Sequence, residues 1–405
     1  MKRAMKAGTL KLCLPLLVMT AHQNAVSLIV PPFFQQLGYP VSAIGTLISV
    51  AWIFTFAARL PSGLAYKPGR ARILLVAYLV CMALSSAAYS VATQPVPLAL
   101  VQAFNGFANG GATTVYFAFF VDALPVGENR HHAMGYYAGA LAVGYSLGGF
   151  ATGYVADRLG YAVAFWFASL IVLGSLSLFL ILARPVPLRT GGGPAETMTV
   201  GSLLEALKSV RNRAIATDVV VALFLNMLHQ IGSTFFPLYG LAVGLTLTQV
   251  GLIRASYSLC NAVTRPLSGF FVSRLGHRNI ARVGLPLQAG FFMLFPLFHD
   301  AASLLSVSVL AGFVRAVVVV ANTIGMVEDM EATRLSRGVA SGIFNGAGDL
   351  GFILGPGFSG LIASFIGVTR LFVAGPLVIA SAFLLSLWSC KFLASGRGSE
   401  RRFAG

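Results

Sequence analysis

The sequence predicts an all-α integral membrane protein: twelve transmembrane helices in two pseudo-symmetric halves of six. Three observations predict it. Of the 405 residues, 57% are hydrophobic and 10% are charged, against about 45–50% apolar and about 25% charged in soluble domains, so a soluble enzyme is excluded as the default. The apolar residues fall in runs long enough to cross a bilayer, which takes about 20 residues per helix. The second half of the chain also repeats the first.

The runs of the first half are 12–34, 43–65, 72–92, 96–121, 134–156 and 161–183. Those of the second are 215–238, 247–272, 280–298, 303–327, 338–365 and 370–391. The first run follows Lys2, Arg3, Lys6 and Lys11 like a signal peptide, but Ala21-His22-Gln23-Asn24 offers no clear cleavage site and apolar sequence resumes to Pro31; it reads as the first span. Connections such as 89–98 and 238–249 are almost free of charge, whereas basic groups punctuate the chain after every second run. The positive-inside rule therefore places both termini and every basic loop in the cytoplasm. The formal charge of +16 would raise nucleic acid as a partner of a soluble protein, but here the basic residues alternate with membrane runs and nucleic acid is excluded. The long connection 184–214 opens with Pro185 and Pro187, passes Gly191-Gly192-Gly193-Pro194 and reads as an amphipathic helix around 200–212. The expected organisation is a six-helix half at 1–183, a cytoplasmic linker at 184–214, a second half at 215–392 and a tail at 393–405. Cys13, Cys81, Cys260 and Cys390 are isolated in or beside apolar runs, so neither a disulfide framework nor a metal site is expected. No cofactor is expected, and no Gly-Lys-Ser/Thr nucleotide loop is present.

Self-comparison exposes the duplication. At a shift of 207, Arg130, Gly135, Gly139, Gly144, Gly148, Gly153, Gly160 and Phe165 fall on Arg337, Gly342, Gly346, Gly351, Gly355, Gly360, Gly367 and Phe372. The same shift puts His22-Gln23 on His229-Gln230 and Asp122 on Asp329; a shift of 206 puts Arg59 on Arg265. The glycine spacing leaves two opposite helix faces thin, at about 0 and about 180 degrees. Spans five and eleven are thus expected to approach neighbours closely on both sides.

The chain resembles the major facilitator superfamily over essentially its whole length. Gly63-Leu-Ala-Tyr-Lys67-Pro-Gly69-Arg70-Ala-Arg72 and Gly269-Phe-Phe-Val-Ser273-Arg274-Leu-Gly276-His277-Arg278 are similar to that family's cytoplasmic G-x-L-A-D-R-x-G-R-R motif. The first is one residue short, both lack the Asp, and the basic half survives. The stretch Gly144-Tyr145-Ser-Leu-Gly148-Gly149 is similar to the family's antiporter motif, with Tyr145 in place of Pro. The resemblance implies spans one, four, seven and ten at the centre, with two, five, eight and eleven beside a cavity.

Polar residues in those spans carry the candidate site, because a charge at a membrane helix centre costs about 2.5–3.5 kcal/mol and must face a cavity or a partner. Substrate contacts are expected from His22, Gln23, Asn109, Tyr116, His229, Gln230, Arg254, Tyr257, Asn261, Arg315 and Asn322. Trp52, Phe56 and Tyr116 are expected to hold an apolar portion. Asp349, His22 and His229 are the proton-coupling candidates, and Arg315 and Asp349, mid-span on sequential helices, are expected to neutralise each other. Arg59, Arg70, Asp122, Arg130, Arg265, Arg274, Asp329 and Arg337 are expected at the cytoplasmic gate, with Asp122, Glu328 and Asp329 paired to Arg59, Arg130, Arg265 or Arg337. Arg254 has no acidic residue on its own helix.

The expected function is secondary transport of a small polar, anionic or amphipathic organic solute by alternating access, coupled to protons or another ion, with a lean to efflux. Uptake of an organic anion is the alternative; a membrane receptor or scaffold is the alternative of another class. An enzyme is disfavoured because no paired catalytic carboxylates, HExxH or nucleophile motif occurs. The expected setting is a bacterial inner or plasma membrane, and the expected working form a monomer.

Overall fold

A computed structural model describes residues 2–124, 130–183, 212–333 and 337–400. The helix expected at 200–212 falls almost wholly outside them, as do the side chains of Arg130 and Arg337. Every regular element among the described residues is helical: α1 (Lys2–Gln36), α2 (Val41–Ala65), α3 (Ala71–Ala88), α4 (Pro95–Asp122), α5 (Arg130–Leu182), α6 (Arg213–Gln230), a π-helical turn (Ile231–Phe235), α7 (Phe236–Ala242), α8 (Leu247–Leu275), α9 (His277–Met293), a 3-10 turn (Phe295–Leu297), α10 (Ala301–Thr333), α11 (Arg337–Ile366) and α12 (Val368–Glu400).

Two interruptions reconcile this order with twelve spans. Within α5, Gly160 has φ 83° and ψ 169°, a conformation that glycine adopts without a Cβ penalty, so its arms 130–159 and 161–182 are two spans. Conversely α6, the π turn and α7 form one span. A proline cannot donate to the helical ladder, and Pro237 lies in the turn after the π segment. Nine helices among the described residues are long and apolar enough to cross a membrane, α5 counting once. The other two long helices, α4 and α8, carry Gln102, Asn105 and Asn109, and Arg254, Asn261 and Arg265, the polar stripes that lower their hydropathy.

The backbone repeats as the sequence does. Gly160 (φ 83°) and Gly367 (φ 84°) break the chain at equivalent positions, as do Gly38 (φ 86°) and Gly244 (φ 89°). Packing follows the same symmetry: a Cβ on Gly144 would lie 2.3 Å from the Leu17 carbonyl oxygen of α1, and one on Gly351 2.4 Å from the Leu223 oxygen of α6. The opposite glycine faces form the contact between halves. There Gly153 and Gly251 meet α8 and α5 backbone, and Gly45 and Gly360 bring α2 against α11. All of these lie toward the end of the bundle carrying the turns at Gly38 and Gly244, here termed the roof. At the other end, the base, Gly135, Gly139 and Gly346 have no atom within 4 Å of their Cβ positions. Close packing on both faces therefore holds for only part of each glycine series: the halves touch at the roof and part toward the base.

Candidate functional site

Between the halves lies a cavity of about 940 Å³. Its first-half wall is built from neutral amides. On α1, Gln23 Nε2 donates to Asn109 Oδ1 of α4 (2.6 Å) and Gln23 Oε1 accepts from the Tyr145 hydroxyl of α5 (2.9 Å). Asn24 Nδ2 donates to the Tyr145 carbonyl. Just before Gln23, His22 is 1% exposed and pairs through Nε2 with Ser86 Oγ at 2.6 Å.

The second-half wall is cationic. Arg254, Arg265 and Arg315 line the cavity, and among its described lining residues there is no aspartate or glutamate. Arg315 of α10 donates from Nη1 to the Leu225 carbonyl (2.9 Å) and from Nη2 to Asn226 Oδ1 (2.8 Å), both on α6. His229 stacks on Tyr257 with ring centroids 5.7 Å apart, and its Nδ1 lies 3.3 Å from the Tyr257 hydroxyl. Gln288 Nε2 donates to the same hydroxyl at 3.2 Å. Gln230 donates to the Phe352 carbonyl and accepts from Ser233 Oγ just as the π turn begins. Such turns recur at functional sites because they re-aim side chains within a helix. Trp52 of α2 stacks on Phe352 of α11 across the halves, with centroids 4.5 Å apart and planes at 13°.

The cavity thus brings together nine expected contacts: His22, Gln23, Asn109, His229, Gln230, Arg254, Tyr257, Asn261 and Arg315. Two others are elsewhere. The Tyr116 hydroxyl donates to the Leu12 carbonyl at 2.6 Å, and Asn322 Nδ2 to the Asp218 carbonyl at 3.3 Å. These are the same contact in the two repeats. Both residues share a face with Asn109 and Arg315, but two turns closer to the base, where α1 and α6 close over α4 and α10. Phe56 is exposed and lies outside the cavity lining.

The expected Arg315–Asp349 pair does not form. Asp349 Oδ1 instead meets Arg59 Nη2 of α2 at 3.0 Å. Arg315 satisfies itself on α6, whereas α11 packs along α2, so Asp349 finds the other half's cation. Among the expected gate residues, Asp122 accepts from the Tyr66 hydroxyl (2.6 Å) and Asp329 from Arg278 Nη2 (3.0 Å). These contacts stay within one half, each to the nearest donor near the adjacent connection, because the halves are apart at the base. Burial and the Asp122 carboxylate push the Tyr66 phenol well above its ordinary pKa. Arg265 lines the cavity, the Arg274 guanidinium sits 4.2 Å from the Phe270 ring centroid, and Arg70 is exposed before α3.

Sequence reasoning missed Asp157. Its carboxylate accepts from the Leu247 N–H (2.9 Å), the Thr248 N–H (2.7 Å) and Thr248 Oγ1 (2.5 Å). It caps the N-terminus of α8 from the opposite half, where the helix dipole favours an anion. An acidic residue at a charge-poor connection was the available signal; its backbone partners carry none. Asp157→Asn is expected to loosen the roof by about 1 kcal/mol, roughly fivefold. In a cysteine-free background, Leu247→Cys should then react faster with a membrane-impermeant maleimide, and an unchanged rate would remove Asp157 from the closure.

The sequence profile of the Major Facilitator Superfamily matches residues 12–332 and 241–402. The chain belongs to the Major Facilitator Superfamily. Within this superfamily it is similar to an uncharacterized MFS-type transporter of Methanocaldococcus jannaschii, with 20% identity over 84% of this chain and 87% of the relative. It is also similar to quinolone resistance protein NorA of Staphylococcus aureus, at 30% identity over 37% of this chain and 38% of NorA. Among solved structures, the nucleoside transporter NupG superposes with a TM-score of 0.79 at 16% identity, over 94% of this chain and 98% of that one. A bacterial homolog of the human lysosomal transporter Spinster, inward-facing and unoccupied, gives 0.72 at 14% identity over 96% of both chains. At these identities the structures show the fold alone. The protein is a multi-pass integral membrane member of a transporter family.

Proposed function

We propose that this protein is a secondary transporter exporting a small organic anion with an apolar body, by alternating access and in exchange for protons. The two rocking bodies are 1–183 and 215–392, joined by 184–214, with the base and both termini in the cytoplasm as the basic loops require. The observation that carries the reading is the charge of the cavity: three guanidiniums and, among the described lining residues, no carboxylate. At an effective dielectric of about 20, one such charge about 6 Å away disfavours a bound cation by about 3 kcal/mol, and it favours an anion equally. Trp52 and Phe352 supply a flat surface for the apolar portion. Closure at the roof with separation at the base corresponds to the inward-facing state named for the Spinster homolog. Export is supported by the Gly144–Gly149 stretch and by the partial likeness to a resistance protein. Asp349, the one carboxylate joining the halves near the cavity among the described residues, is the proposed proton carrier, with His22 and His229 as further titratable groups.

Proteoliposomes test this: an imposed pH gradient should drive saturable flux of aromatic carboxylates and not of aromatic amines. A receptor or scaffold on this fold would show no such flux. Arg254→Lys should keep the melting temperature and weaken anion binding, because an ammonium cannot reproduce the planar donor pair; Arg254→Ala should weaken it further, about tenfold or more. Equal binding by all three proteins at equal melting temperature would take Arg254 out of the site.

A further inference from the structure

We infer that Arg254 is a latch opened by the transported anion itself: it holds the roof shut through Ser27 until an acidic group on the solute takes the guanidinium over. This deepens, and rests on, the anionic reading of the cavity. Arg254 belongs to α8 and Ser27 to α1, so the Nη2 to Ser27 Oγ hydrogen bond of 2.6 Å joins the two halves. One turn above it on α8, Gly251 lies against the Gly149 backbone of α5, and above that Asp157 caps the helix. Arg254 and Ser27 both line the cavity. They lie on the cavity side of the roof, where a bound solute meets them.

The contact is built to be lost. Nη1 of Arg254 is buried and has no hydrogen-bond partner among the described residues, and Ser27 offers the guanidinium only a neutral hydroxyl. A carboxylate, sulfonate or phosphate presents two or three anionic oxygens, and a bidentate, charge-assisted pair is roughly twice as strong as a neutral hydrogen bond. Nη1 has no hydrogen bond to give up when such a group reaches it. Completing the fork takes Nη2 as well, which releases Ser27 and leaves the roof to α5 and to α2 with α11. An amine or a neutral solute cannot make that exchange. Because coupling is reciprocal, an anion that breaks the Ser27 contact must bind more tightly wherever the contact is already broken. Occupancy from the base side therefore biases the roof toward opening, the step an exporter needs after loading.

The experiment places spin labels at cysteines replacing Gln36 and Ala302, at the roof ends of α1 and α10, in a cysteine-free full-length chain. Distances are compared in wild type, Ser27→Ala and Ser27→Asp, alone and with 1-naphthoate, 1-naphthalenesulfonate or 1-naphthyl phosphate, and with 1-naphthylmethylammonium as control. Unliganded Ser27→Ala should show more of the long distance and bind the best of the three anions about tenfold more tightly. Ser27→Asp, supplying an internal carboxylate, should keep the short distance and bind none of them. In wild type the anion, and not the ammonium, should lengthen the distance. Melting temperatures within a few degrees of wild type verify that both variants are folded. Identical distances in the two Ser27 variants overturn the latch, as does equal anion affinity in wild type and Ser27→Ala. If the Ser27 variants move the roof as expected but no anion binds any protein, the anionic reading of the cavity fails and the anion's part in the latch falls with it, leaving a roof contact only.

Discussion

Gly148→Val removes the folded protein from the membrane, whereas Gly135→Ala leaves it intact; this contrast is the largest effect expected from any single substitution described. A Cβ at Gly148 would sit 1.9 Å from the Ala21 carbonyl oxygen and 2.5 Å from its carbon. The obstacle is backbone in the middle of the α1–α5 contact, so no side-chain rotation relieves it, and the two helices must separate along their length. Overpacking in a protein interior costs about 1–3 kcal/mol when side chains can adjust, and here they cannot. A penalty of about 5 kcal/mol consumes most of a marginal stability of about 5–15 kcal/mol. Gly135, on the same helix, meets nothing within 4 Å, and alanine there gains helix propensity. Expression and melting temperature in detergent decide the matter. Equal melting temperatures for the two variants would mean that the close approach of α1 and α5 is not what holds the first half together.

The second large effect is a non-additive one between Arg59 and Asp349. Asp349→Ala should be more damaging than the double variant Arg59→Ala/Asp349→Ala. The carboxylate side chain is 6% exposed and pairs at 3.0 Å with an Arg59 side chain that is 37% exposed, while Arg59 Nε is buried without a partner among the described residues. Removing the anion strands a cation between α2 and α11, and breaking a fully buried pair costs about 3–5 kcal/mol. The exposure of Arg59 reduces this to about 2 kcal/mol. Removing both groups leaves a cavity and no stranded charge. Melting temperatures of the two single variants and the double form a thermodynamic cycle. If the two single losses simply sum to the double, the residues act independently and the proposed proton carrier has lost its partner. Arg315→Ala crossed with Asp349→Ala should by contrast be additive, since Arg315 bonds to α6.

Much of the site was legible because a membrane helix has so few reasons to carry a polar residue. His22, Gln23, Arg254 and Arg315 stand out against apolar surroundings, and the duplication by itself aligns His22-Gln23 with His229-Gln230. The stripes gave the angular position of each residue on its own helix. They did not give depth within the bundle, which is why Tyr116 and Asn322 were grouped with Asn109 and Arg315. On one helix the four positions look alike, yet α1 and α6 cover the lower pair and leave the upper pair facing the cavity.

By itself the sequence determined the order and approximate extent of the spans, the two-fold repeat and the glycine series from which the close helix contacts are drawn, since all of these follow from hydropathy and period along one chain. Only the tertiary structure decided the partners. Sequence pairs Asp349 with Arg315 and gives Arg59 to the gate, whereas the packing of α11 on α2 brings Asp349 to Arg59. Asp157 holds the roof through backbone N–H groups of Leu247 and Thr248, which every residue but proline possesses and which no pattern of side chains reveals. The sequence lists the groups a helix can offer, while the neighbour that accepts them is fixed by which backbones the glycines allow to meet.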